Sequence, residues 1–252
     1  MPHGRGRLVL HLRDAPDGSS LLCGLVASTG VAGRPEAYFR VPDERLWAGR
    51  WGLDVDAFDY ADYVRAALAA GRTGNGVFGA KLMWGTLDRV VDGLAMVHPE
   101  LAGADGALLR RAFGRTAFVH LRREDVLAQA VSWLRAEQTH LWYVGDTAAN
   151  REPPRYDADG IDDLLRTIDA HQAAWDEWFA AYEVEPHRVR YEDLAADPVG
   201  VTRGILDVLG LDLPAGTTIR PRHRRQADDL NAEWISRHRA GVTLPTSPTA
   251  EA

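Results

Sequence analysis

The chain contains a single cysteine, Cys23, so it can form neither an intrachain disulfide nor a cysteine-rich metal site. No apolar run approaches the roughly 20 residues that a membrane-spanning helix needs. The N-terminal stretch MPHGRGR lacks the apolar segment of a secretory signal. These absences predict a cytoplasmic protein without a membrane partner. Cys23 is expected to be a core residue of the first helix.

An excess of positive charge is also missing. The formal net charge is −7, which argues against nucleic-acid binding through a broad basic surface but leaves room for a local basic pocket. The nine histidines do not pair with carboxylates or Cys23 at ligand spacing, so no metal site is predicted. What remains is a chain of 252 residues, 46% of them hydrophobic, without a linker-like tract. We expect one domain over 1–252, with a disordered tail at 243–252.

Strands and helices are predicted to alternate along the chain. Strands are indicated by apolar runs that are typical of a parallel sheet, at 8–12, 77–83 and 117–121, and a last strand is expected at 184–191. Helical spacing of apolar residues is found between and after them, at 21–28, 87–97, 126–138 and 161–182. The segment 40–60 carries aromatic residues among charges without clean periodicity and is predicted to be irregular. The expected fold is α/β, a parallel sheet with helices on both faces.

The turn after the first predicted strand is a candidate anion site. Gly18, Ser19 and Ser20 offer turn and N-cap chemistry directly before the first helix. Free backbone N–H groups and the positive end of the helix dipole meet there, which favours a phosphate or sulfate. The turn is not a Walker A loop, because the lysine of that pattern is absent. An ordinary strand-to-helix connection is an equally good interpretation of these residues alone.

Two further features suit an anionic ligand. Lys81 lies inside an apolar run, where an ammonium must either reach the surface or meet an anion. Arg122 and Arg123 follow a buried strand and precede a helix, and arginine can grip a phosphate bidentately. A surface lysine and solvated turn arginines are the alternative interpretations. Ligands of such sheets bind outside the carboxyl ends of the strands, where both features fall.

Several blocks together resemble the bacterial trehalose 2-sulfotransferase family. They occur in the family's order and span nearly the whole chain: TGVAGRPEAYF, GVFGAKLMW, HLRREDVLAQAVSWLRAEQT, VRYEDLAADP and RRQADDLNAEW. The resemblance implies a P-loop-like α/β fold that binds 3′-phosphoadenosine-5′-phosphosulfate (PAPS) and releases 3′-phosphoadenosine-5′-phosphate (PAP). It also implies transfer of the sulfuryl group to a hydroxyl of a small-molecule acceptor, and a homodimer.

Carried over by position, the resemblance implies a set of site residues. The first turn, with Gly18, Ser19 and Ser20, would hold the 5′-phosphosulfate. The 3′-phosphate would be bound by a second group of residues: Arg122, Ser132 and Arg225, with Arg123 and Gln129 as further candidates. Lys81 and Arg13 are the cations available near the first turn.

The sequence departs from the family pattern at two places. Pro16 and Asp17 stand where an arginine and a serine are usual; proline has no N–H, and an ionised aspartate opposes an anionic sulfate. Ala37 stands where the family commonly has the glutamate that takes the acceptor proton. Glu36 precedes it, and in an extended segment a shift of one residue points a side chain to the opposite face. Glu36, or a histidine from elsewhere in the chain, is the candidate base, and a surface carboxylate is the alternative interpretation of Glu36.

Two functional hypotheses follow. The first is a sulfotransferase acting on a small carbohydrate or secondary metabolite, with Glu36 as base and Lys81 stabilising the transferred charge. The second is a repurposed scaffold that has lost sulfuryl transfer and catalyses another biosynthetic reaction or only binds a small molecule. A P-loop kinase is a third and weaker interpretation, because the loop lysine and a magnesium carboxylate are missing.

Overall fold

The computed structural model describes residues 7–13, 18–139, 153–221 and 229–241, with backbone alone for 7–13. Its strands are β1 (Arg7–Arg13), β2 (Phe78–Met83), β3 (Arg115–Arg122) and β4 (His187–Arg190). Its α-helices are α1 (Ser19–Ser28), α2 (Val41–Arg50), α3 (Tyr60–Gly71), α4 (Thr86–Val97), α5 (Asp105–Phe113), α6 (Val126–Thr139), α7 (Ala158–Ala181), α8 (Tyr191–Ala196), α9 (Pro198–Leu209) and α10 (Asp229–Arg239).

The four described strands form one parallel sheet in the order β2-β1-β3-β4. The chain runs from β1 to β2 on one side, and then crosses back over β1 to β3 and β4 on the other. The strand order therefore reverses between β1 and β3. In an open parallel sheet, the crevice at the carboxyl ends of such a strand pair is where ligands bind.

Helices cover both faces of the sheet. Successive side chains of each strand point to opposite faces, so one strand contributes to the packing on both sides. On β3, Phe118 packs into a cluster that includes residues of α3, α4, α5 and α7. Its neighbour Val119 packs on the other face with Leu22 and Leu25 of α1 and Ile205 of α9. A third cluster joins α6, α7 and α10 beside the sheet. This layering confirms the predicted α/β class with helices on both faces.

The structure corrects one local prediction. The segment 40–60 is not irregular throughout, because residues Val41–Arg50 form α2, with Pro42 in its first turn. Trp47 and Trp51 pack against the apolar cluster that includes Phe118. Gly210 ends α9 in the left-handed conformation at φ 60°, as is common for a glycine at the end of a helix. The predicted tail at 243–252 lies outside the described residues.

Across the described ranges, no helix combines the length and the apolar character that crossing a membrane requires. Cys23 is buried, as expected of a core residue. In the same ranges, no group of three or more histidine, cysteine, aspartate or glutamate residues is arranged to hold a metal ion.

Candidate active site

Three chain segments that are far apart in sequence meet at the ring of Tyr191. Gly18 is the N-cap of α1 and has a left-handed backbone, with φ 89° and ψ 6°. A Cβ atom built on Gly18 would lie 2.4 Å from both Cδ2 and Cε2 of Tyr191. The Arg123 guanidinium carbon lies 4.7 Å from the centroid of the same ring. The start of α1, the turn after β3 and the end of β4 are therefore packed together at the carboxyl edge of the sheet.

The turn after β3 is held by carboxylates. Oε1 of Glu192 accepts hydrogen bonds from the backbone N–H groups of Glu124 at 3.1 Å and Asp125 at 3.4 Å. Oδ1 of Asp125 accepts one from the N–H of Ala128 at 3.0 Å, inside the first turn of α6. These donors are already bound by the protein itself. A phosphate near this turn must therefore rely on side chains, above all on Arg123.

Arg122 and Arg123 point to opposite faces of the sheet. Arg122 faces α7, where its Nη2 donates to Oε1 of Gln172 at 2.7 Å and its Nη1 to Oδ2 of Asp176 at 3.3 Å. Nη2 of Arg188 donates to the other oxygen of Asp176 at 3.0 Å. One carboxylate thus serves two guanidinium groups, so this cluster keeps an excess of positive charge.

His120 belongs to the same cluster. It is 1% exposed, and its Nδ1 lies 3.2 Å from Nη1 of Arg188. Burial is the main reason that its pKa is lowered from 6.5 to about 4, and the charges of Arg188 and Arg122 lower it further. The ring is therefore neutral at pH 7. In that state Nδ1 accepts a hydrogen bond from the guanidinium of Arg188.

A cavity of about 820 Å³ opens at the carboxyl ends of β3 and β4 and extends along β4. Its volume is in the range of small-molecule sites, which is about 300 to 1,000 Å³. Among the charged residues that line it, arginines outnumber acidic residues. Four arginines face it, together with two acidic residues: Arg122, Arg123, Arg188 and Arg190, with Glu124 and Asp193. Such a cavity suits the anionic end of a ligand.

Glu36 and Lys81, the predicted catalytic pair, are neighbours in space. The N–H of Lys81 donates to the carbonyl of Glu36 at 2.9 Å. Glycine at position 33 makes this contact possible. A Cβ atom on Gly33, which has φ 82°, would lie 2.2 Å from the backbone nitrogen of Gly79. The segment 33–36 can therefore lie directly against the backbone of β2 because position 33 lacks a side chain.

Lys81 lies on the face of the sheet that α1 covers. In the strand register Lys81 is level with His11, and His11 is level with Val119. Val119 packs against α1, and side chains of paired residues project to the same face. Lys81 is 4% exposed, while Glu36 is half-buried. It is also the only lysine of the chain.

The other predicted residues are distributed as follows. Ser19 is buried and Ser20 half-buried in the first turn of α1, beside Gly18. Ser132 is half-buried in the middle of α6. Arg225, and the departures Pro16 and Asp17, lie outside the described residues. The structure thus brings Gly18, Ser19 and Ser20 together with the turn after β3, and it places Arg123 rather than Arg122 next to them.

Sequence reasoning missed three residues of this site. Tyr191 and Glu192 belong to the block VRYEDLAADP, but their contacts with Gly18 and the α6 turn are long-range and leave no local signal. Asp176 lies within a helix whose apolar stripe was recognised, and its ion pairs are likewise invisible in sequence. Lys81, by contrast, was predicted, because a lysine within an apolar run is unusual.

Comparison with known proteins identifies relatives of this chain. The chain matches the Stf0 sulphotransferase family over residues 11–241. It is 30% identical to a trehalose 2-sulfotransferase of Mycobacterium tuberculosis (strain ATCC 35801 / TMC 107 / Erdman) over 96% of this chain and 98% of that protein. It is also 30% identical to a trehalose 2-sulfotransferase of Mycolicibacterium smegmatis (strain ATCC 700084 / mc(2)155), over 91% and 93% of the two chains. These matches confirm the resemblance that the sequence blocks indicated.

Proposed function

Because the chain belongs to the Stf0 sulphotransferase family and is a sulfotransferase by that membership, we propose that its donor is PAPS and its acceptor a hydroxyl of a small carbohydrate. The observation that carries the proposal is the meeting of Gly18, Arg123 and Tyr191 at the carboxyl edge of the sheet. The carbohydrate class is supported by the names of the two relatives, which act on trehalose. The hypothesis of a scaffold without sulfuryl transfer is not favoured.

In this proposal two anion sites bind the two ends of the nucleotide. The 5′-phosphosulfate lies at the start of α1, where the N–H groups of the first turn and the helix dipole favour negative charge. The 3′-phosphate lies against Arg123. This guanidinium has no ion-pair partner within the described part of the chain, and its buried Nε has no hydrogen-bond acceptor there. A phosphate would supply both.

The reaction is an in-line transfer. The acceptor oxygen forms a bond to sulfur, the bond between sulfur and the bridging phosphate oxygen breaks, and PAP leaves. Glu36 takes the proton of the acceptor hydroxyl, a role worth about 10²- to 10⁴-fold in rate. Lys81 and the N–H groups of α1 stabilise the negative charge that develops on the bridging oxygen. The short distance between the backbones of Glu36 and Lys81 supports a shared site for both roles.

A transfer assay tests the proposal. The purified chain is incubated with sulfur-labelled PAPS and with trehalose, glucose, a flat phenol or no acceptor, and the product is identified by mass spectrometry. We expect label on a sugar, with Lys81→Met lowering kcat by about 10²- to 10³-fold. Arg65→Met, at an exposed site on α3, is the control and should keep full activity. Transfer to the phenol alone would contradict the acceptor class.

Binding of PAP tests the donor separately. A ligand that binds only the native state raises the unfolding midpoint, and 100 times its Kd adds about 2.7 kcal/mol. We expect PAP to stabilise the wild type and to have little effect on Arg123→Ala. Equal stabilisation of both proteins would remove Arg123 from the site. No stabilisation of the wild type at millimolar PAP would contradict the donor.

A further inference from the structure

Tyr191 and Glu192 are consecutive residues, and both contact the turn after β3. The ring of Tyr191 lies under the Arg123 guanidinium. The carboxylate of Glu192 binds the N–H groups of Glu124 and Asp125, the two residues that directly follow Arg123. The dipeptide at the start of α8, directly after β4, therefore fixes both the side chain of Arg123 and the backbone that leads away from it.

Arg123 is held differently from the other arginines of the cavity. Arg122 and Arg188 share Asp176, and Arg190 contacts Glu124 at 2.5 Å. Arg123, by contrast, has no carboxylate partner among the described residues, so its charge is not compensated by the protein. Its position then depends on the ring beneath it and on the conformation of the turn. The conformation of the turn depends on Glu192, whose carboxylate is a charge-assisted acceptor for two backbone N–H groups.

We propose that Glu192 is a positioning residue for the nucleotide site and acts through Arg123; this inference rests on the proposed function. Its carboxylate fixes residues 123–125, so that the guanidinium stays over Tyr191 and faces the 3′-phosphate. It also occupies the amide N–H groups that a phosphate at this turn would otherwise bind. The phosphate is thereby directed to the Arg123 side chain and not to the backbone.

The second carboxylate oxygen of Glu192 and two conservative substitutions help to test this role. Oε2 is buried and has no hydrogen-bond partner within the described part of the chain, which is costly for a carboxylate. Glutamine would keep an oxygen acceptor at the place of Oε1 without the charge. Aspartate would keep the charge but is one methylene shorter, so it cannot reach both N–H groups from the same backbone. The two substitutions therefore separate hydrogen-bond geometry from charge.

The experiment compares PAP affinity by calorimetry, and KM for PAPS and for the acceptor, in the wild type, Glu192→Ala, Glu192→Asp and Glu192→Gln. Small displacements in a binding site cost up to about 10²-fold, so we expect Ala and Asp to raise the Kd of PAP and the KM for PAPS at least about tenfold. The acceptor KM should stay unchanged. Gln should restore affinity to within about threefold. Glu185→Ala, an exposed glutamate just before β4, is the matched control.

Each outcome of this experiment either supports or overturns the positioning role of Glu192. A general loss of folding would lower the unfolding midpoint and the apparent kcat and leave both KM values unchanged. A loss of positioning would instead raise the KM for PAPS and the Kd of PAP at a wild-type midpoint. Wild-type PAP affinity in Glu192→Ala, or a loss in Glu192→Gln as large as in Ala, overturns the role given to Glu192 and leaves the proposed function intact. If the wild type itself does not bind PAP, the proposed function fails and this inference with it.

Discussion

Replacement of Gly18 by alanine tests the packing on which the site depends. The backbone at Gly18 is left-handed, which costs an alanine roughly 1–2 kcal/mol. Alanine also restricts the unfolded chain, which returns about 0.4–1 kcal/mol. The new Cβ would lie 2.4 Å from two carbons of the Tyr191 ring, so the ring must move. Overpacking of this kind costs typically about 1–3 kcal/mol.

Gly85 provides a matched control for this substitution. It is the N-cap of α4, it is also left-handed at φ 77°, and a Cβ atom there would meet nothing within 4 Å. Urea unfolding of Gly18→Ala and Gly85→Ala therefore separates the backbone strain from the collision. We expect roughly 1 kcal/mol or less for Gly85→Ala, and an additional loss of about 1–3 kcal/mol for Gly18→Ala.

The same pair of variants links packing to binding. Displacement of Tyr191 removes the support of Arg123, so Gly18→Ala should also weaken PAP binding, whereas Gly85→Ala should not. Equal losses of stability in the two variants, or unchanged PAP affinity in Gly18→Ala, would refute the reasoning.

Three further predictions concern the scaffold. Gly33→Ala would place Cβ 2.2 Å from the backbone nitrogen of Gly79, which cannot rotate away, so we expect lost activity and a loss of about 3 kcal/mol in urea unfolding. Arg89→Ala should cost about 3–5 kcal/mol, because it leaves the buried carboxylate of Glu44 without its ion pair. The pKa of His120 falls from 6.5 to about 4 on folding, so the unfolded chain binds more protons. Stability should fall by about 1.4 kcal/mol per pH unit from pH 6 toward pH 4 on this account.

Each of these predictions has a control in the same chain. Gly30→Ala shares the left-handed backbone at φ 70° but meets no atom within 4 Å, so its loss should be much smaller than that of Gly33→Ala. Arg45→Ala removes an exposed ion pair with Asp56 and should cost less than about 1 kcal/mol. His120→Gln should flatten the acid slope. An unchanged slope would assign the acid sensitivity to other groups.

Most of the sheet could be predicted from sequence because β1, β2 and β3 contain apolar runs, which are typical of strands in a parallel sheet. Helix α2 could not, because its residues mix charges and aromatics, and its N-cap, Arg40, makes no side-chain capping bond. The order of strands was not predicted. It depends on long-range pairing, and the alternation of segments fits several orders equally well.

The site was predicted in part, for a similar reason. The turn at Gly18 and the arginines after β3 carry local signals, and they were placed at the correct edge of the sheet. Arg122 and Arg123 are consecutive, so their side chains point in opposite directions at the end of β3. The one that faces the start of α1 depends on the position at which the strand ends, and such boundaries are the least secure part of a prediction. The roles of Tyr191, Glu192 and Asp176 depend on contacts between distant segments.

The most direct test of the central claim is a crystal structure of the chain with PAP bound. We expect one phosphate at the start of α1, beside Gly18, Ser19 and Ser20, and the 3′-phosphate within hydrogen-bond distance of the Arg123 guanidinium above Tyr191. A nucleotide bound elsewhere, or an α1 turn filled by the carboxylate of Asp17 with Arg123 turned away, would contradict it.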